Sequence, residues 1–194
     1  MPQIHDQPVT SLSDRRKPGD HDADTAASTS SSNATARRLL QIYLADHEAA
    51  SRAGVNLVHR VRSENEAAAY GDYLVKLEAE VEQDRASLIN IMKALQVSAN
   101  PVKQLVARAA VIVGRLKPNG QLHGYSPLSR VLELEALCAA ALAKRGLWQS
   151  LRVLAPIYPE LEVATLDRLI DRATEQFENL TDQHRQAARE AFGG

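Results

Sequence analysis

The sequence predicts an all-α fold, a four-helix bundle with a short helix in the connection between its two helical hairpins. Along four long segments, apolar residues recur at spacings of three and four, which is the period of one face of an α-helix. Hydrophobic residues make up 44% of the chain but aromatic residues only 4%, a composition that suits closely packed helices and disfavours a β-sandwich. A length of 194 residues fits one domain with an appended tail.

Residues 1–35 differ in composition from the rest and predict a disordered N-terminal tail before a helical domain at 36–194. The tail ends in a run of threonine, alanine and serine, which is too polar to bury enough surface to offset its ordering entropy. It lacks the apolar core of a secretory signal and is too acidic for a typical transit peptide. Because no stretch of about 18 apolar residues is present to span a membrane, we expect a cytoplasmic protein.

Charge and cysteine content disfavour several function classes. The formal net charge of -1 gives no global field to attract nucleic acid or an anionic membrane, so we expect neither as a partner. Cys138 is the only cysteine, which excludes an internal disulfide and a zinc site built on cysteine pairs. The sequence also lacks a glycine-rich phosphate loop, a GxSxG elbow and an HExxH helix, so a hydrolase or transferase is a poor third choice of function.

Two amphipathic segments predict the first hairpin. A helix over about 35–63 has Asn33 as a candidate N-cap, and a second helix covers about 67–96 after a short turn. The second helix ends before Pro101 because proline disfavours a helical conformation in the residue before it. The inner stripe of the first helix is Leu40, Leu44, His47, Ser51, Gly54, Val58 and Val61, and that of the second is Leu74, Leu77, Val81, Asp84, Leu88, Ile91 and Leu95.

A short crossover helix is predicted over about 101–116, before the second hairpin. Ser126 and Pro127 begin the next long helix, because serine is a good N-cap and proline suits the first helical position. Gly146 is a candidate break in that helix. After two prolines the last helix covers about 160–191. The inner stripe of the third long helix is Leu128, Val131, Leu132, Glu135, Cys138, Ala139 and Leu142, and that of the last includes Leu166, Ile170, Ala173, Phe177, Leu180, His184 and Ala187.

Each of these four stripes contains an ionisable residue at a position where an aliphatic one is expected: His47, Asp84, Glu135 and His184. Buried ionisable groups are costly unless they are paired, so each needs a partner. At about 1.5 Å per residue, His47 and Asp84 both lie some 27–29 Å from the first hairpin turn. Glu135 and His184 both lie about 37 Å from the second turn. The spacing therefore predicts one imidazole opposite one carboxylate in each hairpin.

Two interpretations of these polar residues stay open. Two histidines and two acids in one layer can bind a divalent metal, with iron or manganese as candidates, whereas two separate histidine–carboxylate hydrogen bonds would serve only the core. Asp46 and Glu48 flank His47, so a modest helix rotation would turn either of them inward. If the crossover returns the chain along the bundle, Glu135 lies about 15 Å from the level of Asp84 and the single layer is lost.

Two helical hairpins, a long crossover and inward polar residues together resemble the ferritin-like superfamily over about 36–192. A di-metal centre of that superfamily uses one Glu from each of two helices and a Glu-x-x-His pair from each of the other two. This sequence has no such pair, because the residues three before His47, His59, His123 and His184 are Leu44, Asn56, Gly120 and Thr181.

The resemblance offers matches by position and none by motif, so it implies the fold and not the ferroxidase chemistry. The positional matches are His47 or Glu48 on the first helix, Glu80 with Asp84 on the second, and Glu135 and His184 on the third and fourth.

The sequence leaves two functions in competition. The first is a non-catalytic binding or assembly module, favoured by the missing Glu-x-x-His pairs and by small interior residues such as Ser51 and Gly54. The alternative is a metal-binding oxidase or metal-storage subunit, with either a di-iron or a mononuclear site, that uses the inward histidines and carboxylates.

Self-association is also expected, since ferritin-like bundles often pair through a helix face, so the partner would be a second copy or another protein. Trp148, with Leu147 and Leu151, is a candidate interface residue. Closure of the bundle end is the favoured interpretation, because large apolar groups are usually buried within their own chain.

Overall fold

The computed structural model describes residues 20–97 and 125–193, which form four α-helices and no strand. The predicted all-α class is therefore confirmed for these residues. None of the described helices combines the length and the apolarity needed to cross a membrane. The predicted crossover helix at 101–116 and the first 19 residues of the predicted tail lie outside the described residues. The helices are α1 Asp20–Glu64, α2 Gly71–Ala94, α3 Pro127–Leu154 and α4 Val163–Phe192.

The chain divides into two compact units after Leu39. The described part of the first unit belongs to α1, which begins at Asp20, and its side chains from residue 31 onward are exposed. The predicted helix start near Thr35 is therefore wrong, and Asn33 lies inside the helix instead of capping it. No glycine or proline occurs between Asp20 and Ala53, so no helix-breaking residue ends the helix before that point.

The second unit buries its apolar side chains in two clusters, and each cluster takes residues from all four helices. Such contiguous clusters define the core of a domain. Core cluster A contains Leu44, Leu88, Met92, Leu147, Trp148, Leu151, Leu166, Leu169 and Ala173, together with Leu95, Val97 and Leu161. Core cluster B contains Val58, Val61, Leu74, Leu77, Val131, Leu134, Leu137, Ala141, Leu180 and Ala187, together with Tyr70.

The membership of the two clusters gives the directions of the helices. Cluster A joins the C-terminal half of α2, through Leu88, to the C-terminal half of α3, through Leu151. Cluster B joins the N-terminal halves of the same helices through Leu74 and Leu134. Helices α2 and α3 therefore run in the same direction, and α1 and α4 run opposite to them. The chain leaves α2 beside cluster A and enters α3 beside cluster B.

The start of α3 agrees with the sequence prediction. The hydroxyl of Ser126 accepts a hydrogen bond from the backbone N–H of Ser129 at 3.1 Å, and Pro127 is the first helical residue. The candidate break at Gly146 does not form, because α3 continues to Leu154. A single glycine lowers helix stability but does not by itself end a helix that packs against neighbours.

The turn between α1 and α2 depends on a glycine and a buried amide. A Cβ atom on Gly71 would lie 2.5 Å from the carbonyl oxygen of Glu66, so the backbone approaches too closely for a side chain. Asn65 is buried in this turn, and its side-chain oxygen accepts a hydrogen bond from the hydroxyl of Tyr70 at 3.2 Å. Helix α2 consequently starts at Gly71, after the predicted start at Ala67.

Candidate functional site

Among the described residues of the second unit, three carboxylates are buried, and each pairs with at least one cationic side chain. Glu48 on α1, Asp84 on α2 and Glu133 on α3 are 5%, 2% and 0% exposed. A buried charge is costly unless it has an opposite charge and hydrogen bonds around it. The pairings of these three residues therefore decide what the interior can do.

Asp84 is the centre of the most extensive network. Its carboxylate pairs with Lys144 of α3 and with Arg172 of α4. Lys144 Nζ also donates to Gln176 Oε1 at 2.5 Å, and Gln176 Nε2 donates to Glu80 Oε2 at 2.9 Å. One carboxylate thus ties α2 to both α3 and α4.

The ammonium group of Lys144 is largely buried, and burial disfavours its positive charge. Burial lowers the pKa of Lys144, and the charge and hydrogen bond of Asp84 oppose that shift without cancelling it. Since Lys144 and Arg172 share the carboxylate, loss of Asp84 would leave two cations in the interior without their partner.

Glu48 occupies the inward position on α1, one residue beyond the predicted His47. Arg52 Nε donates to its Oε1 at 2.8 Å, and Arg85 Nη2 on α2 donates to the same oxygen at 3.0 Å. Burial raises the pKa of the Glu48 carboxyl, but the hydrogen bonds and charges of the two arginines outweigh it, so the pKa lies below its usual value. His47 is half-buried instead, with its ring edge-on to Tyr43 at 4.6 Å between centroids.

Glu133 joins α3 to α1 and to the turn after it. The hydroxyl of Tyr125 donates to Glu133 Oε2 at 2.9 Å, and Arg60 of α1 pairs with the same carboxylate. Asn65 in turn donates its side-chain amide to the hydroxyl of Tyr125 at 3.0 Å. Glu133 therefore belongs to a series of hydrogen bonds that links the start of α3 to the turn after α1.

The four predicted metal ligands do not form one group, although His47 and Asp84 line the same cavity. Glu135 is exposed, so the inner stripe predicted for α3 is wrong at that position. The buried residues Val131 and Leu134 set a face that leaves Glu135 outside. His184 is half-buried on α4, and no hydrogen bond joins His47 to Asp84. Among the described residues, no three His, Cys, Asp or Glu side chains form a group that could hold a metal ion.

The interior residues do not fit a di-metal centre of the ferritin-like type. Such a centre needs carboxylate oxygens that are free to bind divalent cations. Glu48, Asp84 and Glu133 are each engaged by arginine or lysine. A guanidinium or ammonium group in contact with a carboxylate occupies its oxygens and repels a further cation.

A cavity of about 110 Å³ lies beside the Asp84 network, between residues of all four helices. Ser51, Gly54 and Ala141 are small residues of its wall, and a Cβ atom built on Gly54 meets no atom within 4 Å. Exposed alanines of α1 and α3 also line the cavity, so it opens to the surface between these helices. The larger apolar wall residues are Leu77, Val81, Leu88, Leu137, Leu147, Trp148 and Leu180, and the charged or polar ones are His47, Asp84, Arg85, Lys144 and Gln176.

Trp148 belongs both to core cluster A and to the cavity wall. Its side chain is 1% exposed, and Leu147 and Leu151 beside it are equally buried. These residues are therefore buried within their own chain, as the favoured interpretation expected, and are not exposed as an interface would require.

Sequence reasoning missed Lys144 and Gln176, although the periodicity contains a signal for both. Lys144 follows Leu137 and Ala141 at spacings of four and three, and Gln176 follows Leu169 and Ala173 in the same way. Both are therefore in register with buried residues of their helices. A polar residue at such a position is easily assigned to solvent because lysine and glutamine are mostly exposed.

Comparison with protein-family models, with curated proteins and with solved structures found no match to this chain. The resemblance to the ferritin-like superfamily therefore stays a prediction.

Replacing Asp84 by asparagine is expected to lower the free energy of unfolding by about 3–5 kcal/mol, because Lys144 and Arg172 lose their buried anion. Urea denaturation followed by circular dichroism at neutral pH measures this loss. Asp182→Asn is the matched control, since Asp182 forms an exposed pair with Arg185 and should change stability by no more than about 0.5 kcal/mol. Equal, small effects of the two substitutions would show that the Asp84 network is not a buried one.

The lowered pKa of Glu48 predicts a pH dependence with a definite sign. A carboxylate with a depressed folded-state pKa contributes stability that is present above its unfolded pKa, near 4.5, and is lost as the pH falls through the folded pKa. Glu48→Gln should therefore be destabilised most at neutral pH, and its difference from the unmodified chain should shrink below about pH 4.5. Urea midpoints across this pH range measure it, with the exposed Glu175→Gln as control. A difference that stays constant with pH would contradict the prediction.

Proposed function

We propose that this chain is a ferritin-like helical bundle that acts as a non-catalytic binding or assembly module. The directions of the helices support the fold part of this proposal. Helices α2 and α3 run in the same direction. The end of α2 and the start of α3 therefore lie at opposite ends of the helices, as expected of a ferritin-like bundle.

The non-catalytic role is supported by the ion pairs: each of the buried carboxylates Glu48, Asp84 and Glu133 among the described residues pairs with lysine or arginine. A divalent metal at Asp84 would have to displace Lys144 and Arg172 and leave both cations without their buried carboxylate partner. Ferritin-like oxidases and storage subunits depend on carboxylates that are available to metal. The ion pairs therefore favour a bundle that is held together by charge over one that works through a metal.

The surroundings of Ser51, which lines the cavity, and of Cys138 support a non-catalytic role. The hydroxyl of Ser51 donates to the backbone carbonyl of Glu48 at 2.6 Å, so it is not hydrogen-bonded to a general base. Burial raises the pKa of the Cys138 thiol, which lowers the fraction of reactive thiolate. An open cavity with a mostly apolar wall is instead suited to holding a small molecule.

Metal content tests the proposal directly. After anaerobic loading with Fe(II), or with Mn(II), and exhaustive desalting, elemental mass spectrometry of the full chain should find well below one metal per chain, because Lys144 and Arg172 already occupy the Asp84 carboxylate. Asp84→Asn should retain no less metal than the unmodified chain. Near-stoichiometric metal that is lost in Asp84→Asn but kept in Asp182→Asn would overturn the proposal and support a metal-dependent oxidase or storage subunit.

Exposed apolar side chains around the α3–α4 connection supply a surface for assembly. Val153 and Ile157 are 76% and 68% exposed, and Val163 at the start of α4 is also exposed. Clustered apolar exposure is typical of protein interaction sites. We assign this surface to self-association, in agreement with the homo-oligomer expected from the ferritin-like resemblance.

Sedimentation velocity from low to high micromolar concentration should therefore show a dimer or larger oligomer. The double substitution Val153→Glu and Ile157→Glu should shift the chain to a monomer, because it places charge in an apolar contact. Val75→Glu is the control, since Val75 is an exposed apolar residue of α2. A monomer at all concentrations, or equal dissociation by the control, would contradict self-association through this surface.

A further inference from the structure

Most of the surface that faces the interior of the cavity beside Asp84 is apolar, although charged residues belong to its wall. The charged ends of these residues are engaged in ion pairs: Lys144 with Asp84, and Arg85 with Glu48. A molecule inside the cavity therefore meets mainly leucine, valine and alanine side chains. Such a wall favours a ligand with a hydrocarbon surface.

The charges of the Asp84 network balance one another. Lys144 and Arg172 share the Asp84 carboxylate. Glu80 is the second acid of the network, because its Oε2 accepts a hydrogen bond from Gln176 Nε2 at 2.9 Å. Burial lowers the pKa of Lys144, and the charges that oppose this shift include Glu80 as well as Asp84. Two cations therefore face two carboxylates, and the network offers no excess charge to an ion of either sign.

The cations next to this network are paired or exposed to water. Arg85 Nη2 lies 3.0 Å from the buried carboxylate of Glu48. The side chains of Arg52 and Lys76 are 63% and 71% exposed, so water screens their charges. Burial lowers the pKa of His47, which favours an uncharged imidazole at neutral pH. A charged molecule that entered the cavity would lose its hydration without gaining a free counter-ion.

The cavity has an opening and a limited volume. The exposed residues Ala50, Ala140 and Ala143 line it between α1 and α3, so a small molecule can enter there. An apolar cavity of about 150 Å³ binds benzene, and by proportion a cavity of about 110 Å³ holds about four or five heavy atoms. A molecule of this size would supply contacts that the wall side chains otherwise lack.

We propose that this cavity binds a small, uncharged, apolar molecule of about five heavy atoms. The apolar wall surface selects a hydrocarbon body, and the balanced ion pairs select against a charged group. This inference deepens the binding role proposed above and rests on it.

Trp148 makes the binding directly observable, because it is the only tryptophan in the chain and it lines the cavity. Its fluorescence and the single indole N–H resonance in nitrogen-15 correlation spectra are followed during titration in sealed samples at constant ionic strength. The probes are cyclopentane, butylammonium and propanoate, which are similar in size and carry zero, positive and negative charge. Cyclopentane should give a saturable change, whereas the two ions should bind at least about tenfold more weakly. Cyclo-octane is too large for the cavity and should give no saturable change.

A first pair of variants tests whether the molecule lies in the cavity. Gly54 belongs to the wall, and a Cβ atom on it meets no atom within 4 Å, so Gly54→Leu should fill the space and abolish saturable binding. Gly146→Leu is the matched control, since Gly146 has the same open surroundings and is not part of the wall. If Gly54→Leu fails to fold by circular dichroism, Gly54→Ala carries the same test with a smaller loss of affinity.

A second pair tests the size limit. Leu137 and Leu169 are both 4% exposed, but only Leu137 belongs to the wall. Leu137→Ala should enlarge the cavity and admit cyclo-octane, whereas Leu169→Ala should not, although both remove the same buried side-chain atoms. The two variants are compared at a temperature at which circular dichroism shows both to be folded.

Three results would overturn the inference: no saturable binding of cyclopentane, binding that survives Gly54→Leu, or an ion that binds as strongly as cyclopentane. A cavity filled only by water would give the first of these results. Cyclo-octane binding to Leu169→Ala but not to Leu137→Ala would also contradict it. None of these outcomes alters the metal content, so a failure here is distinct from a failure of the proposed function.

Discussion

The need to neutralise buried carboxylates governs the interior of the second unit. Glu48, Asp84 and Glu133 come from three different helices, and each one draws a lysine or arginine from a neighbouring helix. Removing one partner of such a pair leaves the other charge buried and uncompensated, in surroundings that solvate it poorly. The ion pairs therefore fix which helices face one another, in addition to the apolar contacts of the two core clusters.

The same ion pairs also determine which groups the buried carboxylates can bind. Two cations share Asp84, so both of its carboxylate oxygens already have a lysine or an arginine as partner. The small residues Ser51 and Gly54 leave space next to this charge. The structural role of the network and the open space beside it thus follow from one arrangement of side chains.

The candidate site was only partly predictable from the sequence. Asp84 was predicted to face inward because it interrupts an apolar stripe, and the structure buries it. On α1 the inward residue is Glu48 and on α3 it is Glu133, each displaced from the predicted His47 and Glu135. An error of one or two positions moves a side chain to another face of a helix, since each residue rotates by about 100°. Periodicity alone does not fix the rotation of a helix that contains alanine on several faces.

The sequence by itself determined that this chain is helical, where α3 begins, and that charged residues lie among apolar ones on the inner faces. These properties depend on local spacing and on capping by Ser126. Only the tertiary structure decided which charges meet, because Asp84 and its partners Lys144 and Arg172 come from distant parts of the chain. It also decided the cavity, since an open space is formed by the packing of four helices and no single segment encodes it.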